Sequence, residues 1–246
     1  MGDCFLWKKE DIENHTPSRL EGSLTLEKEL KYRRDGTKFC RLLADHFTLH
    51  HNTIATACVY FQRFYMMNSF SKYPFRYRTA LTCVFVAGKV EENPKKCREL
   101  VKAGREIMRN DETIENGAFK LDHGELGWSK KILGSIKWKE CTEIQHLSHG
   151  ADLVKMFEPV LLKSINFQFN IEQPYQFLTR YGHDLNNSNR NDLKKKEKIG
   201  HIIQDAWGVI NDTFDQTTLC LEWEPTKSFK LDSISMINAD SFPVTL

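Results

Sequence analysis

The segment from Phe75 to Val90 constrains the fold of this chain more than any other part of the sequence. It is apolar on nearly every side and includes Leu81, Val84 and Val86. A helix with this pattern has to be covered by neighbouring elements all round. We therefore expect a central helix that is surrounded by other helices.

Helical periodicity predicts the elements around this central helix. Apolar residues recur every three or four positions in four segments, which are 25–47, 52–69, 95–108 and 152–166. Thr53 is the expected N-cap of the second segment, and Asp35-Gly36 predicts a bend in the first. Two further helices are expected at 174–186 and 192–219. Strand signals are scarce, so the predicted fold class is all-α.

Residues 109–150 interrupt this rhythm. They hold five of the thirteen glycines and show no sustained period. We expect an inserted, largely irregular segment with one short helix near Trp128–Ile136.

Composition excludes several broad classes of function. The chain carries 35 basic and 33 acidic residues, a net charge of +2. This balance argues against a general nucleic-acid coat or binding to anionic membranes. The seven cysteines lie mostly in apolar patterns without a CxxC pair, so we expect reduced core side chains in an intracellular protein. No signal peptide and no membrane span are expected.

Metal-binding and catalytic patterns are weak. Cys141, His146 and His149 lie close together, as do His46, His50 and His51, but neither set has the paired spacing of a structural zinc site. No GxSxG, HExxH or P-loop motif occurs. We expect no metal, no cofactor and no catalytic residue in this chain.

Short basic runs leave nucleic-acid binding as an open alternative. They comprise Lys95-Lys96, Lys130-Lys131 and residues 194–198, each of which is interleaved with acidic residues. The segment Trp128 to Glu140 also mixes tryptophan with lysine, a composition that can stack on bases. Solvated helix faces are the simpler interpretation, and direct nucleic-acid binding is not expected.

Lys89 is the unusual residue of the central helix. A lysine near a helix C-terminus is favoured by the dipole, and its stem can lie along apolar neighbours. Glu158 occupies the apolar helix predicted at 152–166, where a carboxylate needs a partner because burying it alone is costly. We therefore expect Lys89 and Glu158 to pair and present a preset polar site to another protein.

Several longer motifs carry a resemblance to a known family. They are His15–Gly22, Tyr32–Phe39, Phe61–Phe70, Val86–Cys97, Phe157–Leu178, Ala206–Asp212 and Thr217–Pro225. In order and spacing they resemble the transcriptional cyclins, the K type more than the T type. The resemblance covers about 15–108 and 152–225.

This resemblance implies a cyclin fold with a five-helix cyclin box followed by a partial second box. The expected divisions are an N-terminal segment at 1–24, a first box at 25–170 with the insertion at 109–150, a partial second box at 171–225 and a divergent tail at 226–246. The family continues after Pro225 with further apolar helices that are missing here. We therefore expect exposed apolar surface or marginal stability in 174–219, or a dimer.

The resemblance also implies a function. The chain would be a regulatory subunit, not an enzyme, that binds and activates a transcriptional cyclin-dependent kinase in the nucleus. The kinase would phosphorylate the C-terminal domain of RNA polymerase II and promote elongation. The family's kinase contacts fall on Lys89, Glu92, Glu158, Phe167 and Phe169. The alternatives are a cyclin-box protein that binds a kinase or transcription factor without activating it, and a nucleic-acid-binding cyclin-fold factor.

Overall fold

The computed structural model describes residues 6–110, 143–188, 193–215 and 217–222, and their regular structure is helical. The helices are α1 (Lys9–Asn14), α2 (Pro17–Leu20), α3 (Leu26–His46), α4 (His51–Met67), α5 (Arg76–Val90), α6 (Cys97–Asn110), α7 (Glu143–Ser164), α8 (Pro174–Ser188), α9 (Leu193–Asp215) and α10 (Leu219–Glu222). The chain forms two compact units, 10–169 and 170–246 with residues 1–9. The finer division into boxes stays a prediction.

Helix α5 is the centre of the first unit, as its apolar pattern predicts. It packs against α3, α4, α6 and α7, and most of its side chains are buried. Its non-buried positions are Arg78, Phe85, Lys89 and Val90. Arg78, Phe85 and Lys89 are spaced seven and four residues apart and so lie on one side of the helix; we call them the exposed strip of α5.

The predicted bend at Asp35-Gly36 is wrong, because α3 runs continuously from Leu26 to His46. Gly36 instead permits close packing against α4. A Cβ built on this residue would come within 1.9 Å of Cζ of Phe61. The glycine that resembles a helix breaker in the sequence is a contact point between two helices.

The ends of two other helices also differ from the prediction. Helix α4 begins at His51, with His50 as the N-cap whose side chain accepts from the Asn52 N–H, whereas Thr53 is buried in the first turn. Helix α6 begins at Cys97 and reaches Asn110, two residues later than predicted at each end. Side-chain capping by histidine is harder to recognise in a sequence than capping by threonine, because histidine is not among the preferred N-cap residues.

Helix α7 begins at Glu143, nine positions before the predicted start at residue 152. The sequence did not predict this extension because Gly150 lies within it and glycine is unfavourable in a helix interior. Here it allows α7 to approach α6, since an added Cβ would lie 2.7 Å from Cγ1 of Val101. Residues 111–142 of the predicted insertion, including the short helix predicted at Trp128–Ile136, lie outside the described residues.

A buried polar network joins the N-terminal residues to α3 and α4. Arg33 donates to Oε1 of Glu29 from Nε at 3.1 Å and from Nη2 at 2.9 Å. It also donates to the carbonyl oxygens of Gln62 and Tyr65 and to Oε1 of Gln62. The hydroxyl of Thr16 donates to the other oxygen of Glu29 at 2.8 Å. The buried arginine is therefore neutralised and extensively hydrogen-bonded, as a buried charge requires.

The second unit is built around the α8–α9 pair. The ring of Tyr175 is buried, contacts Trp207 at a centroid distance of 4.7 Å and donates its hydroxyl to Oδ1 of Asn211. Ile202 and Val209 on α9 are each 63% exposed. The predicted exposed apolar surface is thus confirmed for these two residues, whereas Tyr175 is covered within the pair. The tail predicted at 226–246 lies outside the described residues.

Four cysteines of the first unit are free and buried, namely Cys40, Cys58, Cys83 and Cys97, and Cys220 of the second unit is free and half-buried. This agrees with the prediction of reduced core side chains. Across the described ranges, no helix has both the length and the apolarity that a membrane span requires.

Candidate functional site

Lys89 lies at the end of α5, where the chain turns sharply. The Glu91 N–H donates to the carbonyl of Ala87, and the Asn93 N–H donates to the carbonyl of Gly88 at 2.8 Å. Between them, Glu92 adopts a left-handed conformation with φ 54°. The turn halts the helix one residue after Lys89 and holds the lysine at the surface, where its side chain is 41% exposed.

The ammonium of Lys89 pairs with the carboxylate of Glu158 on α7, 69 residues away in the sequence. The predicted pairing is therefore present. The ammonium also lies 4.4 Å from the ring centroid of Phe85, within the range of a cation–π contact. Because Lys89 is 41% and Glu158 is 21% exposed, the pair is anchored on its inner side and remains accessible to a partner.

The two glutamates that follow Lys89 differ in role. The hydroxyl of Thr56 donates to Oε1 of Glu91 at 2.7 Å, which ties the turn to α4. The side chain of Glu92 is exposed. Within the described part of the chain, the structure does not bring Glu92 into contact with the Lys89–Glu158 pair. Its proposed contact with a kinase stays a prediction.

Phe167 and Phe169 follow the C-terminus of α7. Asn166 and Phe167 both have left-handed backbones, with φ 51° and 55°, and the Phe167 N–H closes the helix by donating to the carbonyl of Leu162 at 2.9 Å. The two rings meet edge to face at 6.2 Å. Phe167 is 56% exposed, so the strained turn presents an apolar ring to solvent.

Tyr60 fixes the position of this aromatic pair. Its hydroxyl donates to the carbonyl of Phe169 at 2.9 Å. Burial raises the pKa of the Tyr60 phenol well above its usual range, so the hydroxyl keeps its proton and remains a donor at physiological pH. The backbone at Phe169 is thereby joined to the core of α4.

The histidine and lysine clusters noted in the sequence do not form a metal site in the described part of the chain. The rings of His50 and His51 lie 3.8 Å apart between centroids and are tilted by 37°, and burial together with His50 lowers the pKa of His51. Over the residues that the structure describes, no group of three or more His, Cys, Asp or Glu side chains could hold a metal ion. The Cys141 and His146 side chains and the lysines at 130–131 lie outside the described residues.

Sequence reasoning missed one residue of the same surface, Arg78. It lies in the first turn of α5 and lines a small cavity with Lys72, Tyr73 and Phe157. The sequence feature that could have indicated Arg78 is the tripeptide Arg-Tyr-Arg at the start of an otherwise apolar helix. A cation at a helix N-terminus is unfavourable for the dipole and so calls for a separate explanation.

Comparison with known proteins identifies a domain in the first half of this chain. Residues 4–122 match the family described as "Cyclin, N-terminal domain". This match and the helical architecture above show that the chain carries a cyclin N-terminal domain, and the predicted all-α cyclin fold is confirmed.

Individual relatives refine this classification. The chain is 38% identical to Cyclin-K of Homo sapiens over 90% of its own length and 31% of that protein, and 36% identical to Cyclin-K of Danio rerio over 90% of its length and 42% of that protein. It is 31% identical to Cyclin-T1-5 of Arabidopsis thaliana over 88% of its length and 31% of that protein. The chain therefore resembles K- and T-type cyclins, and it spans about a third of the length of human Cyclin-K.

A solved structure supports the fold. A chain in the CAK complex of Chaetomium thermophilum bound to ATP-gamma-S superimposes with a TM-score of 0.59, at 15% identity, over 91% of this chain and 62% of that one. At this identity, the likeness bears on the fold alone.

Proposed function

We propose that this chain is a regulatory cyclin subunit that binds and activates a transcriptional cyclin-dependent kinase. The single observation that carries the proposal is the Lys89–Glu158 pair, which bridges α5 and α7 at the surface of the cyclin domain. Such a pair offers donors and acceptors in a fixed arrangement, so a docking helix does not have to order them. We call the surface formed by this pair, the exposed strip of α5, and Phe167 and Phe169 the docking face.

The chain acts through binding rather than chemistry. Activation of a protein kinase requires correct placement of the helix whose glutamate pairs with the phosphate-binding lysine. A partner that binds this placement more tightly than the inactive one shifts the kinase population toward it. The polar pair would fix the register of the docked helix, while the exposed Phe167 ring supplies apolar contact area.

Polymerase phosphorylation is the proposed output of the complex. The likeness to K- and T-type cyclins supports a kinase that acts on the C-terminal domain of RNA polymerase II and promotes elongation. The proposed compartment is accordingly the nucleus. Phosphorylation of polymerase repeat peptides by the complex, compared with the kinase alone, tests this output directly.

A binding experiment tests the docking face. The dissociation constant for a recombinant transcriptional cyclin-dependent kinase is measured with wild type and with the Lys89→Ala/Glu158→Ala double variant. We expect the double variant to bind at least about tenfold more weakly, which corresponds to about 1.4 kcal/mol. The control is Lys102→Ala/Glu106→Ala, which removes an exposed ion pair of α6. Equal binding by wild type and the Lys89/Glu158 variant would refute the proposed site.

A charge-swapped variant separates recognition from structure. Lys89→Glu/Glu158→Lys keeps an ion pair between α5 and α7 but reverses the charges that the partner meets. We expect it to retain the thermal stability of wild type and to bind the kinase poorly. Restored binding would mean that the pair only holds the two helices together.

A second candidate function is binding without activation. The observation that favours it is the exposure of Ile202 and Val209 in the second unit, which indicates an incomplete covering of α9. Tight binding of the kinase with no increase in its rate on repeat peptides would support this candidate over the activator.

A further inference from the structure

A second polar feature lies on α5, at the opposite end from Lys89. The cavity at the first turn has a volume of about 30 Å³ and is lined by Lys72, Tyr73, Phe75, Arg78, Thr79 and Phe157. We call it the Arg78 pocket. Its walls combine two basic side chains with three aromatic rings. This volume admits one small polar group.

Arg78 reaches this pocket with unused hydrogen-bonding capacity. Its Nε is buried and has no hydrogen-bond partner, and its guanidinium stacks on the ring of Phe75 at 4.2 Å. Burial lowers the pKa of Arg78 to about 10, so the side chain still carries its charge at physiological pH. Leaving a buried donor unsatisfied is costly, and an acceptor from a partner would remove that cost.

The neighbouring Arg76 differs from Arg78 in having a carboxylate partner at this end of the helix. Arg76 donates to Oδ2 of Asp35 at 3.0 Å and lies 4.3 Å from the ring centroid of Tyr32. Among the described residues, no carboxylate pairs with Arg78 in the same way. The two arginines lie two positions apart in sequence, and of the two, Arg76 is the one that pairs with a carboxylate of the described residues.

The backbone of the first turn adds to the preference for an anion. The N-cap of α5 is Phe75, which makes no side-chain capping bond, and no acidic residue lies in the first turn. The N-terminus of a helix carries a partial positive charge and attracts anions. Lys72 contributes a further cation, with its ammonium 5.7 Å from the ring centroid of Tyr73.

The Arg78 pocket is continuous with the docking face. Arg78 precedes Lys89 by three helical turns, or about 16 Å along the axis, so the two lie on nearly the same face of α5. Phe85 lies between them on the exposed strip. On α7, Phe157 lines the pocket and the next residue, Glu158, pairs with Lys89. A helix that docks along this strip would meet both features.

We propose that the Arg78 pocket receives a carboxylate side chain of the docked kinase, which pairs with the Arg78 guanidinium and adds a second polar anchor to the docking face. The ligand class is an aspartate or glutamate side chain, because the small cavity suits a carboxylate and its aromatic walls suit the attached methylene groups. The inference rests on the proposed function, since the kinase supplies the carboxylate.

Replacing Arg78 by methionine tests the proposal, because this variant keeps an unbranched apolar stem and removes the charge. Kinase affinity is measured for wild type, Arg78→Met and the exposed control Arg34→Met over a series of sodium chloride concentrations. We expect Arg78→Met to bind about tenfold more weakly, with a smaller dependence on salt. We expect Arg34→Met to match wild type.

The stability of the isolated chain distinguishes docking from a structural role. Removing the guanidinium, whose buried Nε has no hydrogen-bond partner, should leave the Tm of Arg78→Met equal to or above that of wild type, because replacing a buried charge by an apolar group is often neutral or stabilising. Weaker binding with an unchanged or higher Tm supports the proposal. Weaker binding with a parallel loss of Tm, or equal binding, would overturn it.

Double-mutant cycles identify the carboxylate. Acidic residues on the kinase surface are replaced one at a time by alanine, and each is combined with Arg78→Met. We expect the effect of replacing one acidic kinase residue to be non-additive with that of Arg78→Met, which gives a measurable coupling energy. Additive effects at every position would refute the pairing. Failure of the proposed function is distinguishable, because wild type itself would then not bind the kinase.

Discussion

Replacement of Arg33 by methionine should be one of the most damaging single changes in the cyclin domain. The Arg33 side chain is 1% exposed, as is that of Glu29, and its guanidinium donates to Glu29, Gln62, Tyr65 and Met66. Removing one partner of a buried ion pair costs about 3–5 kcal/mol, because the other charge stays buried and uncompensated. At this chain length, each kcal/mol lowers Tm by about 2–4 °C. We therefore expect a loss of about 6–20 °C.

Thermal and urea unfolding followed by circular dichroism measure this loss. A second variant, Glu29→Gln/Arg33→Met, removes both charges and should be more stable than Arg33→Met alone, although it lacks more of the native groups. The control is Lys96→Met. The Lys96 side chain is 86% exposed and its ammonium lies 3.8 Å from Oε1 of Glu99, so this variant should not change Tm measurably. The reasoning would be refuted if Arg33→Met lost less than about 1 kcal/mol, or if the double variant were the less stable of the two.

Two further predictions concern packing and thiol reactivity. Gly36→Ala should destabilise the domain by about 1–3 kcal/mol through overpacking against Phe61. The control is Gly208→Ala, whose Cβ would meet open space, and it should leave stability unchanged or raise it by up to about 1 kcal/mol. Urea unfolding measures both variants, and an equal loss of stability would contradict the packing argument. Cys97 should resist alkylation by iodoacetamide at pH 8, because burial raises its thiol pKa to about 11 and keeps it protonated and unreactive. Mass spectrometry of the alkylated peptides tests this, and labelling of Cys97 as fast as half-buried Cys220 would contradict it.

Features that depend on a local sequence pattern, or on a group that needs a partner, could be predicted from the sequence. The central position of α5 could be predicted because its apolar pattern is local and extends over most of the helix surface. The Lys89–Glu158 pair could be predicted across 69 residues because an acid in an apolar helix needs a partner and Lys89 is a cation at the end of another apolar helix. Both predictions rest on the cost of leaving a group unsatisfied.

Other features could not be predicted because they depend on the geometry of neighbouring helices. Gly36 and Gly150 have the local signature of helix breakers, and only the approach of Phe61 and Val101 shows that they are sites of close packing. The partners of Arg33 come from α3, from α4 and from main-chain carbonyls, which carry no sequence signature. The pocket at Arg78 needed the position of Phe157, which comes from a distant helix.

The exposed strip of α5 bears on how the binding specificity of such a protein can evolve. Eleven of the positions in this helix are buried, so substitutions there alter the core and are restricted by stability. The other four positions, 78, 85, 89 and 90, are not buried, so packing restricts them less. A lineage could therefore retarget its cyclin to a different kinase by substituting these few positions, while the rest of the helix stays under selection for stability.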